Sequence, residues 1–296
     1  MTTAEVGGRT VELSHEDKQL YPRDGFRKRD VLDYYREVSG VMVPHLRGKP
    51  LTLRRFPDGV GEEGFYQKDA PRQMPEWVRV EEVPQRGGGD PVHHVVCDNE
   101  ATLVYLANKA CLELHVSLST VDDLEHPVLV VFDLDPAEQV GVAELRAGVR
   151  SICARVRDAG LTPHVQLTGG KGFHVAAPLR GDRDFEQVRA AAGELAETAA
   201  REEPERFTTE QRKDKRGQRI YLDTNRNAYG QTVIAPYSLR ARDGAPTATP
   251  LDTDEVPRAR PRQHGMASVP RRLAHKRDPW SGMQRYAGTF APDSRA

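Results

Sequence analysis

Hydrophobic positions along the chain form a few distinct patterns, and each predicts its own element. Val31, Tyr34, Tyr35, Val38 and Met42 recur at helical spacing, which predicts a helix over about Lys28 to His45 with Pro44 marking its end. Leu51 to Phe56, Trp77 to Val83 and Val92 to Cys97 read as strands, and Glu100 to Cys111 as a short helix. The segment from Gly61 to Pro75 reads as a loop carrying Phe65, Tyr66 and Lys68. Val128 to Phe132 is an almost unbroken apolar run, as suits a strand buried on both faces, and it ends at Asp133-Leu134-Asp135-Pro136.

The pattern beyond that run is clearer. Leu145, Val149, Ile152 and Val156 form one apolar stripe, with Gly160 as the stop. Two short strands, His164 to Leu167 and Phe173 to Ala177, flank Thr168-Gly169-Gly170-Lys171-Gly172. A second helix spans about Asp184 to Arg201 with Phe185, Val188, Ala192 and Leu195 inward, and a strand runs from Arg219 to Asp223. An apolar run over Thr232 to Leu239 completes the region. Strand, helix, hairpin, helix, strand predicts an α+β sheet with its helices on one face.

Composition adds bounds. The 296 residues carry 43 Lys plus Arg against 44 Asp plus Glu, a formal net charge of −1. That excludes a polycation held to nucleic acid by bulk charge. The signs are nevertheless segregated: basic residues gather over Arg47 to Arg55, Arg212 to Arg219 and Arg258 to Arg277. The last cluster lies in a Pro- and Arg-rich segment, either a surface-hugging tail or a strip touching a polyanion. No secretory signal or membrane-length apolar run is present. Cys97, Cys111 and Cys153 form no metal-binding spacing and read as reduced, packed thiols of a cytoplasmic protein.

Candidate chemistry starts at Asp133 and Asp135. Residues i and i+2 of a strand share a face, so both carboxylates emerge together and call for a hard cation between them, Mg²⁺ or Mn²⁺. A strand-terminal turn capped by Asp is the plain alternative. The Gly-rich hairpin lets backbone approach an anion, with Lys171 and His174 suited to phosphate. It is neither a Walker loop nor a dinucleotide fingerprint, and a lone Gly-rich turn is often only a hairpin. Asp223 supplies a third strand-end carboxylate, preceded by Arg212, Lys213, Lys215, Arg216 and Arg219 and followed downstream by Arg240 and Arg242. Three acidic strand-ends, a phosphate-type turn and two arginine sets suit a two-metal displacement at phosphorus.

The ordered segments FDLDP, TGGKGFHV, IYLD and YGQTVIAPYSLRAR resemble the archaeo-eukaryotic primase superfamily, and within it the polymerase domain of bacterial ligase D. DKQLYPRDGFRKRDVLDYY, PHLRGKPLTLRRFPDG, GFYQK and LELHVSL extend the likeness from about Val11 to Trp280. The resemblance implies a primase-polymerase fold over residues 10–285: an RRM-like catalytic sheet with flanking helices at about 119–250, an N-terminal α/β, DNA-end-binding portion at about 10–118, and a Pro/Arg-rich segment at 251–296. It implies Asp133, Asp135 and Asp223 as ligands of two Mn²⁺ or Mg²⁺ ions. It assigns Lys171, His174, Thr168, Gly170, His115, Arg240 and, more weakly, Arg216 to the NTP or dNTP. Thr168 stands where the family more often has Ser. Lys18 and Lys28 match a pair that holds a 5′-phosphate. Phe65, or Tyr66 beside it, matches a base-stacking aromatic, with Lys68 as a phosphate contact; core packing and solvated surface lysines are the alternatives.

The implied activity is metal-dependent addition of nucleotides, with ribonucleotides favoured, to primer 3′ ends at gaps or breaks bearing a 5′-phosphate. The setting would be end joining or short-gap repair, with Ku and a separate DNA ligase as partners and nucleoid association during repair. No KxDG ligase motif is present, so nick sealing is not expected of this chain. A de novo primase of the same fold, a DNA-end-bridging factor and a metal-dependent phosphodiesterase are the rival readings. The acidic triad argues against a pure binder, and the phosphate-type hairpin against a nuclease.

Overall fold

A computed structural model of the chain describes residues 2–71 and 73–290. In chain order the strands and helices of the first half are β1 (Thr2–Val6), β2 (Arg9–Leu13), β3 (Gln19–Tyr21), β4 (Phe26–Arg27), α1 (Lys28–Leu46), β5 (Leu51–Arg55), β6 (Phe65–Gln67), β7 (Val80–Val83), β8 (Val92–Val95), α2 (Glu100–Asn108) and β9 (Cys111–Ser117). There follow β10 (Leu129–Pro136), α3 (Val142–Asp158), β11 (His164–Leu167), β12 (Phe173–Pro178), α4 (Phe185–Glu202), β13 (Phe207–Thr208), β14 (Ile220–Asp223), β15 (Thr232–Ile234), β16 (Thr249–Leu251) and α5 (Val269–His275). The chain divides into two compact units. Unit 1 is Met1–Asp122, Thr232–Thr249 and His264–Asp278; unit 2 is Asp123–Gln231, Pro250–Gln263 and Pro279–Ala296. The division is therefore interleaved rather than a single cut near residue 118.

Unit 2 is built on a six-stranded sheet of order β13-β14-β10-β12-β11-β16. Alternation along β10 sends Val130, Phe132 and Leu134 to one face, where they meet Leu145, Val149, Ile152 and Val156 of α3 and Val188, Ala192 and Ala196 of α4 in one buried cluster. Both helices thus cover the same face, as the element order predicts. The other face of β10 carries Asp133 and Asp135. Asp184 caps α4 by accepting from the Gln187 N–H at 2.8 Å. The apolar pattern suggested a strand that stops at Phe132. β10 instead runs through both aspartates to Pro136, because β14 pairs along that stretch and satisfies its backbone.

Unit 1 holds a four-stranded sheet of order β15-β9-β5-β6. The stretch read as a loop around Phe65 contains β6, which pairs antiparallel with β5. The run at Thr232 is a strand only to Ile234, and it joins β9 in this sheet. Pro44 lies inside the last turn of α1 rather than ending it; the Arg47 N–H still reaches the Val43 carbonyl at 3.0 Å. The buried face of α1 is the expected one, with Val31, Tyr35, Val38 and Met42 fully covered. All three cysteines are free thiols and buried. Among the described residues no helix is long and apolar enough to cross a membrane.

Candidate active site

The unit 2 site follows from strand register. Asp133 of β10 is the cross-strand partner of Asp223 on β14 and, on its other side, of His174 on β12. Asp135, two residues on, shares their face and pairs with Tyr221. Directly opposed residues on a sheet face have Cβ atoms about 4.5–5.5 Å apart, so three carboxylates occupy adjacent positions on the side away from the helices. Like charges this close disfavour their common ionised state unless cations intervene.

Basic side chains supply that charge here. Asp135 lies 3.3 Å from Lys171 Nζ and accepts from Arg216 Nη1 at 3.3 Å. The His174 ring is 3.7 Å from Asp133, and Arg226 Nε is 3.7 Å from Asp223. Arg216 is held from several sides. Its Nε and Nη2 donate to the Glu210 and Gln211 carbonyls at 3.1 and 2.8 Å, and its guanidinium lies 3.8 Å from the Tyr221 ring centre. Burial, then the Asp223 charge, pushes the Tyr221 hydroxyl up. The family pattern ranked Arg216 low for the site; the fold sets it directly on Asp135.

The hairpin between β11 and β12 is shaped by close approach. A Cβ at Gly172 would sit 2.3 Å from the Leu134 carbonyl oxygen, so only glycine lets the turn lie against the aspartate-bearing strand. Gly169 takes a positive φ of 66°. The Thr168 hydroxyl donates to the Gly172 carbonyl at 3.1 Å and accepts from the Gly170 N–H at 3.2 Å. Both groups thereby stiffen the turn that presents Lys171. Arg262, from the basic C-terminal stretch, donates to the Gly170 carbonyl at 3.3 Å.

Among the described residues no three His, Cys, Asp or Glu side chains already close as a metal cage; the carboxylates engage basic partners. The donor set still fits a hard divalent ion, since it is all oxygen, anionic, and spread over adjacent positions of one rigid sheet.

The remaining expected residues fall in unit 1. His115 and Arg240 meet at Glu113, which sequence reasoning did not single out although it precedes His115 by two and so shares its face of β9. Glu113 Oε2 is 3.2 Å from His115 Nε2, Oε1 is 3.3 Å from Arg240 Nε and from Arg54 Nη1, and the Ala241 N–H donates at 3.0 Å. Burial alone would push this carboxyl up; the His115 hydrogen bond, the Arg240 charge and the Ala241 N–H outweigh it and hold it at about 2. Phe65 and Tyr66, both exposed, point to opposite faces of β6. Tyr66 lies across from Arg54 and meets the His115 ring edge-on at 5.9 Å, whereas Phe65 sits by Arg55. Lys68 is exposed just past β6. Lys18 pairs with Asp58 at 2.7 Å. Lys28 is buried, donates to the Ser14 carbonyl at 2.5 Å, and its pKa is lowered to about 8 by burial and then by the Lys109 charge.

Comparison with known proteins decides the family. A model of the LigD primase-polymerase domain matches residues 27–280. The chain belongs to the LigD primase-polymerase family. The multifunctional non-homologous end joining protein LigD of Mycolicibacterium smegmatis is 33% identical over 248 residues, covering 83% of this chain and 32% of that protein. The bifunctional non-homologous end joining protein LigD of Bacillus subtilis is 31% identical over 248 residues, covering 83% and 39%. The chain spans about a third of the length of these curated relatives. The polymerase domain of Mycobacterium tuberculosis ligase D, solved in complex with DNA, superposes with a TM-score of 0.87 at 30% identity, covering 94% of this chain and 99% of that one. The mixed α/β fold is thus that of the LigD polymerase domain, and the family is one of nucleotidyltransferases.

Proposed function

We propose that this LigD-type chain adds nucleotides to a primer 3′-hydroxyl at a gapped or broken DNA duplex bearing a 5′-phosphate, with ribonucleotides preferred. The observation that carries the reading is the face of unit 2 on which Asp133, Asp135 and Asp223 stand together beside Lys171, His174 and Arg216. The three aspartates would hold two divalent cations, Mg²⁺ or Mn²⁺, which when bound acidify the 3′-hydroxyl and offset phosphate charge.

The chain's own residues do the rest. The rigid strands β10 and β14 fix the carboxylates, so little reorganisation is needed when substrate arrives. Lys171 and Arg216 exchange their contact with Asp135 for the anionic oxygens of the triphosphate, and His174 donates to the same group. The new phosphodiester bond forms as pyrophosphate departs, and these cations offset its charge. The family resemblance adds His115 and Arg240 to the nucleotide contacts, Phe65 or Tyr66 to a template base, and Lys18, Lys28 and Lys68 to DNA phosphates; of the two aromatics, Tyr66 is the one that meets His115. End joining or short-gap repair in the cytoplasm, with Ku and a separate ligase, is the setting this chemistry serves.

The test is incorporation of labelled ATP and dATP at a one-nucleotide gap, with and without a 5′-phosphate, in Mg²⁺ and in Mn²⁺. Incorporation favouring ATP and the phosphorylated gap supports the reading. No incorporation under any of these conditions contradicts it.

A further inference from the structure

Glu113 is the most deeply buried acid of unit 1, with no exposed surface. Such a charge costs several kcal/mol unless it is fully paired, and a structural strand position would be met more cheaply by an apolar side chain. Its partners are what distinguish it. One carboxylate engages Arg54 from β5, His115 from its own strand, and Arg240 and the Ala241 N–H from the segment after β15.

The contacts continue outward from two of these partners. The Arg54 guanidinium lies 4.9 Å from the Phe56 ring centre and 5.2 Å from that of Tyr66. Tyr66 in turn meets His115 edge-on. Glu113, Arg54, Tyr66 and His115 therefore close a ring of contacts on one face of the four-stranded sheet, with Arg240 attached at the same carboxylate. Tyr66 is the exposed member, 62% accessible, and its orientation depends on two side chains that both end on Glu113.

We propose that Glu113 is a positioning residue, one buried carboxylate that sets Arg240 and His115 for the incoming nucleotide and, through Arg54, sets Tyr66 for the base it stacks on. This rests on the nucleotide and template roles given to those residues above. Glu113 touches neither substrate; it fixes the groups that do. Binding of nucleotide and of template are thereby tied to the same anchor.

The test is steady-state kinetics at a gapped duplex for Glu113→Gln, Arg240→Met and the double variant. Glu113→Gln keeps the shape and removes the charge. It is expected to raise the nucleotide KM about tenfold or more, the scale of a lost charge-assisted hydrogen bond, with a smaller change in kcat. In the Arg240→Met background the same substitution should add less, because the part of its effect that runs through Arg240 is gone and only the part that runs through His115 remains. An unchanged KM, or an effect equally large in both backgrounds, overturns the inference. If Glu113→Gln does not fold, Glu113→Asp takes its place: it keeps the charge, withdraws it by one methylene, and is held to the same two outcomes. Failure of the wild type to incorporate any nucleotide would instead remove the nucleotidyl-transfer reading itself.

Discussion

Asp133 and Asp223 are cross-strand partners, placed side by side by the antiparallel register of β10 and β14. Two carboxylates so placed repel, because like charges directly opposed on a sheet are destabilising. Asp223→Asn is expected to leave the metal-free protein as stable as the wild type or slightly more so. Mn²⁺ should raise the melting temperature of the wild type, because an ion that binds only the folded state stabilises it, and should raise that of Asp223→Asn much less. Differential scanning fluorimetry over a Mn²⁺ series reads both; equal shifts in the two proteins would count against the shared site.

Gly172 is held to glycine by the Leu134 carbonyl, 2.3 Å from where its Cβ would stand. Gly172→Ala should lose about 1–3 kcal/mol of unfolding free energy, the scale of a forced backbone shift, and displace Lys171 from Asp135. Gly193, inside α4, has nothing within 4 Å of such a Cβ. Gly193→Ala should gain about 0.5–1 kcal/mol from helix propensity alone. Urea unfolding of the two variants checks the contrast, and opposite signs are expected.

Lys28 supplies a pH dependence. Burial lowers its pKa to about 8, so the amine is charged below that value and neutral above it. The advantage of a 5′-phosphorylated over an unphosphorylated gap should therefore hold at pH 7 and fade as pH rises through about 8 toward 10. Lys28→Ala should erase the advantage at every pH. Competition binding with the two duplexes measures it, and a pH-independent advantage would refute the role.

Tyr66 and Phe65 are separated by the pleat of β6. Only Tyr66 shares the face of Arg54, Glu113 and His115. Tyr66→Ala should weaken template-directed extension by about 1–3 kcal/mol, the scale of one base–aromatic stack, and Phe65→Ala should leave it near wild type. Extension on templates of varied overhang distinguishes them.

The parts of this fold that were legible in the sequence are those that local periodicity dictates. The stripes of α3 and α4 and the two strands around the Gly-rich turn stand within a residue or two of where the pattern puts them, because each is set by neighbours close in the chain. Long-range pairing was not legible. The continuation of β10 through Asp135 depends on β14, the strand at Phe65 depends on β5, and β15 finds its partner in β9. The three aspartates could be named from their motifs, but their register could not. Glu113 was in view beside His115, yet its meaning comes from Arg54 and Arg240, which reach it from other parts of the chain.

The proposed nucleotidyl transfer depends on the carboxylates at 133, 135 and 223. Single-turnover incorporation at a phosphorylated gap, measured with duplex affinity on the same samples for wild type and Asp135→Ala, tests it most directly. Asp135→Ala is expected to lower the rate at least about 100-fold, the scale of removing a group that stabilises transition-state charge, with duplex affinity essentially unchanged. Retained incorporation by Asp135→Ala with folding and DNA binding intact would contradict that dependence.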